Sequence, residues 1–367
     1  MSGVGQYVFQ LCRELDTLLP QAEFYVYSRL PAERLALPSA RWVLRQEPRP
    51  WLRKLPSFIW LKTRGRQLCR RDRLHAFWAG RTLHPHLGAA TRTVATVHDL
   101  NHLLVPSTME RPTLWSNRLW FARDVASADV VVANSSGTAQ RLRQMLQCQA
   151  QAVVTPGVGP WFRPLTDAEH GPVRGRLAVL GVRPPYLLCV GTLEPRKNVQ
   201  ALLAAYQQLQ AQDAGFAHQL VLVGVKGWQN EALAKALQAA PGVVITGFVA
   251  DELLPPLYAM ADLLVCPLLY EGFGMPLLEA QRCGAAVVHG AHTSMVEASA
   301  GIGVATGTDA AALTATLGSL ARGEAPLACR LFGDNETDSE EASRRMWQCL
   351  CIANQGSHEA RIGSAPV

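Results

Sequence analysis

The sequence predicts an α/β protein of two facing Rossmann-like domains with an interdomain cleft, and three observations carry that prediction. From Tyr186 onward, continuous apolar strand-like runs alternate with helix-like ones, as a parallel sheet buried on both faces requires. A rougher series of the same kind fills the first half of the chain. Between the halves, residues 164–185 are rich in Pro, Gly and charge and break both periodicities, so the domains divide there. The expected layout is an N-terminal domain over 1–165, a linker over 166–185, a C-terminal domain over 186–322 and an irregular tail over 323–367.

In the first half the strand candidates are 24–27, 75–78, 93–97, 129–133 and 152–155, with a helix over 136–146 opened by Asn134 and Ser135 as a cap. In the second half they are 186–191, 219–224, 243–246, 263–266 and 285–289. Helices are expected at 199–209, 229–239, 253–260 and around Glu279; apolar residues at 199, 202, 203, 206 and 209 keep helical spacing. Two ends depart from the pattern. Met1-Ser2-Gly3-Val4-Gly5 begins at a glycine turn, so the first strand of the N-terminal domain is expected to be missing. After Arg322 the alternation fades, and 346–352 supports at most one helix.

Composition narrows the class. At 367 residues, 49% apolar and 17% charged, the chain supports two soluble cores. It has no apolar run of membrane-spanning length and no signal-peptide pattern at its start, so a cytoplasmic protein is expected. Nine cysteines without Cys-x-x-Cys spacing predict reduced core thiols. The net charge of +6 is unevenly placed. Between Arg49 and Arg73, cations interleave with Trp51, Leu55, Phe58, Ile59, Trp60 and Leu61. That stretch is a candidate membrane surface for anionic headgroups, the alternative being a helix packed on its own domain. No nucleic-acid reading motif accompanies the charge.

The most informative segment is Tyr270-Glu271-Gly272-Phe273-Gly274-Met275-Pro276-Leu277-Leu278-Glu279. It follows an apolar strand and enters a helix with Pro276 at its opening. Glu271 then lies in the turn and Glu279 about one turn inside the helix, while the glycine-rich amides crowd the helix N-terminus. Such a site offers donors to an anion and carboxylates to hydroxyls, which suits a sugar joined to a diphosphate. Arg196 and Lys197, in Gly191-Thr192-Leu193-Glu194-Pro195-Arg196-Lys197-Asn198, stand at another strand-to-helix crossing, where cations neutralise a diphosphate leaving group. His98 ends a first-half strand and is expected to donate a hydrogen bond to a sugar hydroxyl or to orient the acceptor, with Asp99 fixing its tautomer or capping the next segment. Gly3 and Gly5 form half of a phosphate loop, and Glu297 follows a further strand. With no Asp-x-Asp in the chain, no metal is expected.

Taken together, these motifs resemble a retaining glycosyltransferase of family 4, from Gly3 to about residue 320. The resemblance implies the GT-B architecture, with acceptor bound mainly by the first domain and nucleotide sugar by the second. It implies that Glu271 contacts the donor sugar, that the Phe273 and Gly274 amides approach sugar or phosphate, and that Glu279 binds ribose hydroxyls. Arg196 and Lys197 would hold the diphosphate, His98 would touch the transferred sugar, and Gly3 to Gly5 would lie against the phosphates. Glu271 and His98 are thereby the candidate catalytic residues. The implied reaction moves a hexose to a glycan or lipid-linked acceptor with retention, the departing phosphate oxygen taking the acceptor's proton. The run around Arg196 looks most like mannosyl-transferring relatives, so GDP-mannose is the first donor expected and a UDP-hexose the second.

Three departures accompany the resemblance. Thr192 stands where relatives often carry an arginine, the first strand is absent, and the tail lacks a persuasive long helix crossing back to the first domain. Two other readings are a non-catalytic sugar-nucleotide-binding relative and a nucleotide-sugar epimerase. An oxidoreductase is disfavoured, because no strand leads into Gly-x-Gly-x-x-Gly.

Overall fold

The computed structural model of the protein describes residues 3–29, 37–225, 227, 231–322, 337–351 and 361–365. The chain forms two compact units: Met1–His102 with Arg111–Gly157 and Glu336–Val367, and Leu103–Glu110 with Val158–Asn335.

Unit 1 carries β1 (Glu23–Ser28), β2 (Trp42–Gln46), β3 (Ala76–Ala79), β4 (Arg92–Val97), β5 (Val130–Ala133) and β6 (Ala152–Val153). Unit 2 carries β7 (Tyr186–Val190), β8 (Gln219–Val223), β9 (Val243–Gly247), β10 (Leu263–Cys266), β11 (Ala286–Gly290) and β12 (Val304–Thr306). A last strand, β13 (Arg361–Ser364), returns to unit 1. All pairings are parallel.

The unit 2 sheet runs β12-β11-β10-β7-β8-β9, the doubly wound order, in which ligands bind beyond the carboxyl ends of the strands. Its apolar runs are continuous because alternate residues enter different cores. Tyr186 and Leu188 of β7 join one core with Val221 and Leu264, while Leu187 and Cys189 join the other with Leu220 and Val265. The helix Val199–Gln212 buries the apolar stripe expected of it, Val199, Leu202, Leu203, Tyr206 and Leu209.

The unit 1 sheet, β2-β1-β13-β3-β4-β5-β6, corrects the expected gap. Among the described residues no strand precedes the opening helix Gly3–Leu18, but the place of a first strand is filled by β13. Phe24 pairs with Ile362 on one side, and Ile362 with Ala76 on the other. Ile362 is buried in the same core as Phe24, Trp78 and Val94. Gly363 is required by closeness: a Cβ there would collide with the Leu74 side chain and stand 3.0 Å from the Tyr27 ring.

The tail expected to be irregular also contains the helix Thr337–Cys351. Ala342, Met346, Cys349 and Leu350 enter the core lined by Tyr7, Leu11 and Leu15 of the opening helix. Their spacing is one helical stripe. The segment expected as a linker holds a helix too, Asp167–Val179, despite Pro172 inside it. Its start is set by a capping box between Thr166 and Glu169, and Val173 and Leu177 bury one face. β2 escaped the sequence reading because cations flank it; Trp42 anchors it by stacking on Phe24 with centroids 4.3 Å apart. Among the described cysteines all but Cys148 are buried and none is disulfide-bonded.

Candidate active site

The carboxyl edge of the unit 2 sheet is built from glycines that let loops approach each other. β7 ends at Gly191, with φ +135°, and a Cβ there would stand 3.0 Å from Lys197 Cε. Gly224, at the end of β8, has φ +147°, and its Cβ would collide with the Gly191 carbonyl. Both are therefore fixed as glycine. Pro195–Lys197 then form a single 3₁₀ turn, and Asn198 at φ +54° opens the following helix. Asn198 Nδ2 donates to the Pro267 carbonyl at 3.1 Å and the Thr308 carbonyl at 2.6 Å. Leu269 N donates to the Arg196 carbonyl at 3.0 Å. The turn after β7 is thus stitched to the loop after β10, a role for Asn198 that its position in the motif did not announce.

That stitching brings charges together. Arg196 Nη1 donates to Glu271 Oε2 at 2.7 Å and to the Tyr270 carbonyl at 3.1 Å, and its Nη2 pairs with Glu194. Lys197 Nζ reaches the same Glu271 oxygen at 3.0 Å. Burial pushes the Glu271 carboxyl up, but the two cations more than reverse this and hold it at about 2. Arg196 and Lys197 are consequently engaged by two carboxylates, Glu194 and Glu271, rather than standing open to an anion. Sequence reasoning missed Glu194 as a partner.

Glu279 lies in the helix Met275–Arg282, whose N-cap, Gly274, takes φ +109°. The Phe273 side chain is buried in the core below. Glu279 is 4% exposed and accepts a 2.7 Å hydrogen bond from the buried Tyr258 hydroxyl. Burial raises its carboxyl to about 7, with Asp251 adding to the effect, while Tyr258 and Lys197 oppose it. The two glutamates therefore share the field of Lys197 yet sit at opposite ends of the carboxylate range.

A pH dependence follows. Glu279 holds its proton more tightly in the folded chain, so its contribution to stability is full below pH 4.5 and is lost as pH rises through about 7. Glu279→Gln keeps an acceptor for Tyr258 and removes the ionisation. The variant is expected to gain ~3 kcal/mol over the wild type between pH 4.5 and 8, by the free energy of such a shift. Parallel denaturation curves at the two pH values check this, and an unchanged difference would refute the buried carboxyl.

His98 lies in unit 1, just past β4. Its Nε2 donates to the Gly80 carbonyl at 2.7 Å, and Tyr7 packs edge-on with centroids 5.0 Å apart. Burial lowers the imidazole to about 4, with Arg81 adding to the effect. The ring is therefore neutral with its proton spent on Gly80, so Nδ1 is an acceptor. This corrects the expectation that His98 donates. Asp99 caps the next segment, accepting from Asn101 N at 3.0 Å. Gly3 and Gly5 lie in the first turn of the helix Gly3–Leu18 rather than in a loop.

His84, His86 and Asp124 of unit 1 lie close enough to hold a metal, but the protein's own groups already satisfy them. Lys62 Nζ contacts both Asp124 carboxylate oxygens, at 2.7 and 2.6 Å. His84 Nε2 meets the Asp124 carbonyl at 2.9 Å, and His86 Nε2 meets Asp124 Oδ1 at 2.8 Å. Within the basic stretch 49–73, Trp60 and Leu61 are core residues, Lys62 serves Asp124 and Arg64 serves Glu47, while Trp51 and Ile59 stay exposed. Among the described residues, no helix is long and apolar enough to cross a membrane.

Comparison with known proteins places these features in a family. Residues 1–160 match the family described as Glycosyltransferase Family 4, and residues 184–322 match the one described as Glycosyl transferases group 1. The chain belongs to glycosyltransferase family 4. This family 4 chain is 32% identical over 213 residues to O-antigen chain mannosyltransferase B of Escherichia coli, covering 56% of the chain and 55% of that protein. It is 31% identical over 256 residues to D-inositol 3-phosphate glycosyltransferase 2 of Catenulispora acidiphila, covering 65% and 57%. The chain thus spans about half the length of these curated relatives. Sucrose-phosphate synthase from Thermosynechococcus elongatus shares the fold, with a TM-score of 0.68, 18% identity and coverage of 94% and 90%. So does Anabaena HepE in complex with UDP-glucose, at 0.66, 17%, 96% and 91%. The family member's two parallel sheets are those of the GT-B architecture.

Proposed function

We propose that the chain is a retaining glycosyltransferase that moves a hexose from a nucleoside-diphosphate donor to a hydroxyl of a glycan or lipid-linked acceptor. The observation that carries this reading is the Arg196–Glu271–Lys197 ion cluster beside the buried Glu279, at the edge where such sheets bind ligands. On arrival, the diphosphate competes with Glu271 for Lys197 and Arg196, and Glu271 turns to the sugar hydroxyls. The cations and the amides of Phe273 and Gly274 then meet the charge that grows as the bond from anomeric carbon to phosphate oxygen breaks. The acceptor oxygen bonds to the anomeric carbon and its proton passes to the departing phosphate. Glu279 receives the ribose hydroxyls.

Mannose is the sugar proposed, since the relatives in Escherichia coli are named mannosyltransferases; a UDP-hexose is the alternative, since HepE is described with UDP-glucose. We place the protein on the cytoplasmic face of a membrane, at anionic lipid. Arg111–Ser127 exposes Trp115 at 60% and Leu119 at 61%, beside the exposed Arg111, Arg118 and Arg123. Phe58 packs on Trp120 from the basic stretch, with centroids 4.9 Å apart.

Labelled GDP-mannose and UDP-glucose, each offered with a lipid-linked glycan extract on phosphatidylglycerol vesicles, test the proposal. Label is expected in the glycan from one donor, and less protein is expected on vesicles after Trp115→Ser. Absence of transfer together with absence of nucleotide binding sinks the reading.

A further inference from the structure

We infer that Tyr258 is a positioning residue of the donor site: by engaging one oxygen of Glu279 it reserves the other for the ribose, and so ties nucleotide affinity to the ribose hydroxyls and to pH. The inference rests on the proposed donor site and adds a residue behind it. Tyr258 is fully buried and Glu279 is 4% exposed, and the Tyr258 hydroxyl donates to Glu279 Oε2 at 2.7 Å. Among the described residues no other group hydrogen-bonds the carboxylate, and Oε1 is not one of the polar atoms sealed from solvent without a partner. Oε1 is therefore the atom left to meet a ligand.

The hydroxyl is held on Oε2 from behind. Pro255 and Pro256 open the helix Leu254–Ala259, which carries Tyr258. The buried Tyr186 hydroxyl donates to the Leu257 carbonyl at 2.6 Å, and Tyr186 N donates to Asp262 Oδ2 at 2.8 Å, so the helix is tied to the start of β7. The Phe162 ring packs against Tyr258 with centroids 6.1 Å apart, and both lie in the core with Leu277, Leu278 and Ala280, the neighbours of Glu279. A side chain packed in this way has little freedom to leave its rotamer. Burial, with Glu279 adding to the effect, raises the Tyr258 hydroxyl well above the ordinary tyrosine range, so it stays a donor at every working pH.

A fixed donor also decides where Glu279 carries its proton. Oε2 accepts from Tyr258, so the acid form places its hydrogen on Oε1, which turns the ligand-facing atom from acceptor to donor. Ribose hydroxyls then lose the charge-assisted acceptor that a carboxylate offers them. Burial, aided by Asp251 in the turn Asp251–Leu253, favours the acid form, and Tyr258 and Lys197 oppose it. The Cys266 and Cys283 thiols also feel Glu279, but burial pushes both up and they stay neutral. Nucleotide affinity is accordingly full above pH 7 and falls as the pH drops through it. Without the Tyr258 hydroxyl the charged form loses a hydrogen bond, and the transition moves to higher pH.

Calorimetry of the full chain with GDP and UDP, each beside its 2′,3′-dideoxy analogue, on both sides of pH 7 tests this. Phosphate titration is common to each pair, so the ratio of the two affinities reads the ribose contact alone. The ribose form is expected to bind about tenfold tighter or more above pH 7, the size of a hydrogen bond to a charged group, and to lose this preference on acidification. In Tyr258→Phe the transition is expected about one pH unit higher, with the preference down about fivefold at pH 7 and restored in more alkaline buffer. Glu279→Gln, which keeps an acceptor for Tyr258, is expected to give a ratio that does not change with pH. A transition at the same pH in wild type and Tyr258→Phe overturns the role of Tyr258 and leaves the proposed function standing. A Glu279→Gln ratio that still changes with pH overturns it too, because another group then titrates. Equal loss of ribose and dideoxy ligands in Tyr258→Phe at every pH overturns it as a collapse of the site, and a wild type without ribose preference removes its basis. A wild type that binds no nucleoside diphosphate overturns the donor site itself.

Discussion

Glu271→Gln is expected to slow sugar transfer by about 100-fold or more while tightening the binding of a bare nucleoside diphosphate by about tenfold. The loss follows from removing a polar contact that strengthens in the transition state, which typically costs two to three orders of magnitude. The gain follows from geometry. One Glu271 oxygen holds both Arg196 and Lys197, and a diphosphate must displace it. Glutamine keeps the shape and gives up the charge, so a competing charge-assisted contact disappears, and ~1.4 kcal/mol is one decade in affinity. The variant is also expected to unfold earlier when empty and to recover with nucleotide, because it leaves buried cations short of a partner. Lys197→Ala moves the other way, with weaker nucleotide binding. Titration calorimetry and initial rates on the same preparations check both halves, and a slower variant with unchanged nucleotide affinity would break the competition argument.

Gly363→Val is expected to cost ~3 kcal/mol or more, at the upper end for overpacking a filled core. The new side chain has nowhere to go, since Leu74, Tyr27 and Phe77 all close on that position. Ile362→Ala, which removes buried methyl groups from the same strand, is expected to cost ~2–5 kcal/mol by leaving a cavity. Both lesions lie in unit 1. Amide hydrogen exchange should quicken in β3 and β1, which pair with β13, while β7 and β8 keep their protection. Unchanged exchange in β1 and β3 would show that β13 is not the strand between them.

How much of this was legible in the sequence depends on how local the cause is. The unit 2 strands were legible because four or five apolar residues in a row need no partner to declare themselves. Glu271, Glu279, Arg196 and Lys197 were legible as site candidates because they sit at strand-to-helix crossings, which composition marks with glycine and proline. β13 was not. Arg361-Ile362-Gly363-Ser364 has one large apolar residue, and its identity as a strand comes from Glu23–Val26 and Ala76–Trp78, hundreds of residues away. The helix at 167–179 was hidden by Pro172, although its Thr166–Glu169 box was in plain sight. The direction of His98's proton could not be read, because the Gly80 carbonyl that fixes it belongs to another strand's end. Tyr258 and Asp251, which tune Glu279, carried no motif at all.

The route taken by β13 sets a timetable for biosynthesis. Everything unit 2 needs between Val158 and Asn335 is synthesised before Arg361, so the later half of the chain can begin to settle while the earlier one waits. During that interval β1 and β3 face a vacant lane with unsatisfied backbone on both banks, the kind of edge that recruits stray strands. The N-terminal half is therefore the portion that stays open longest, and the arrival of β13 is the event that lets it close.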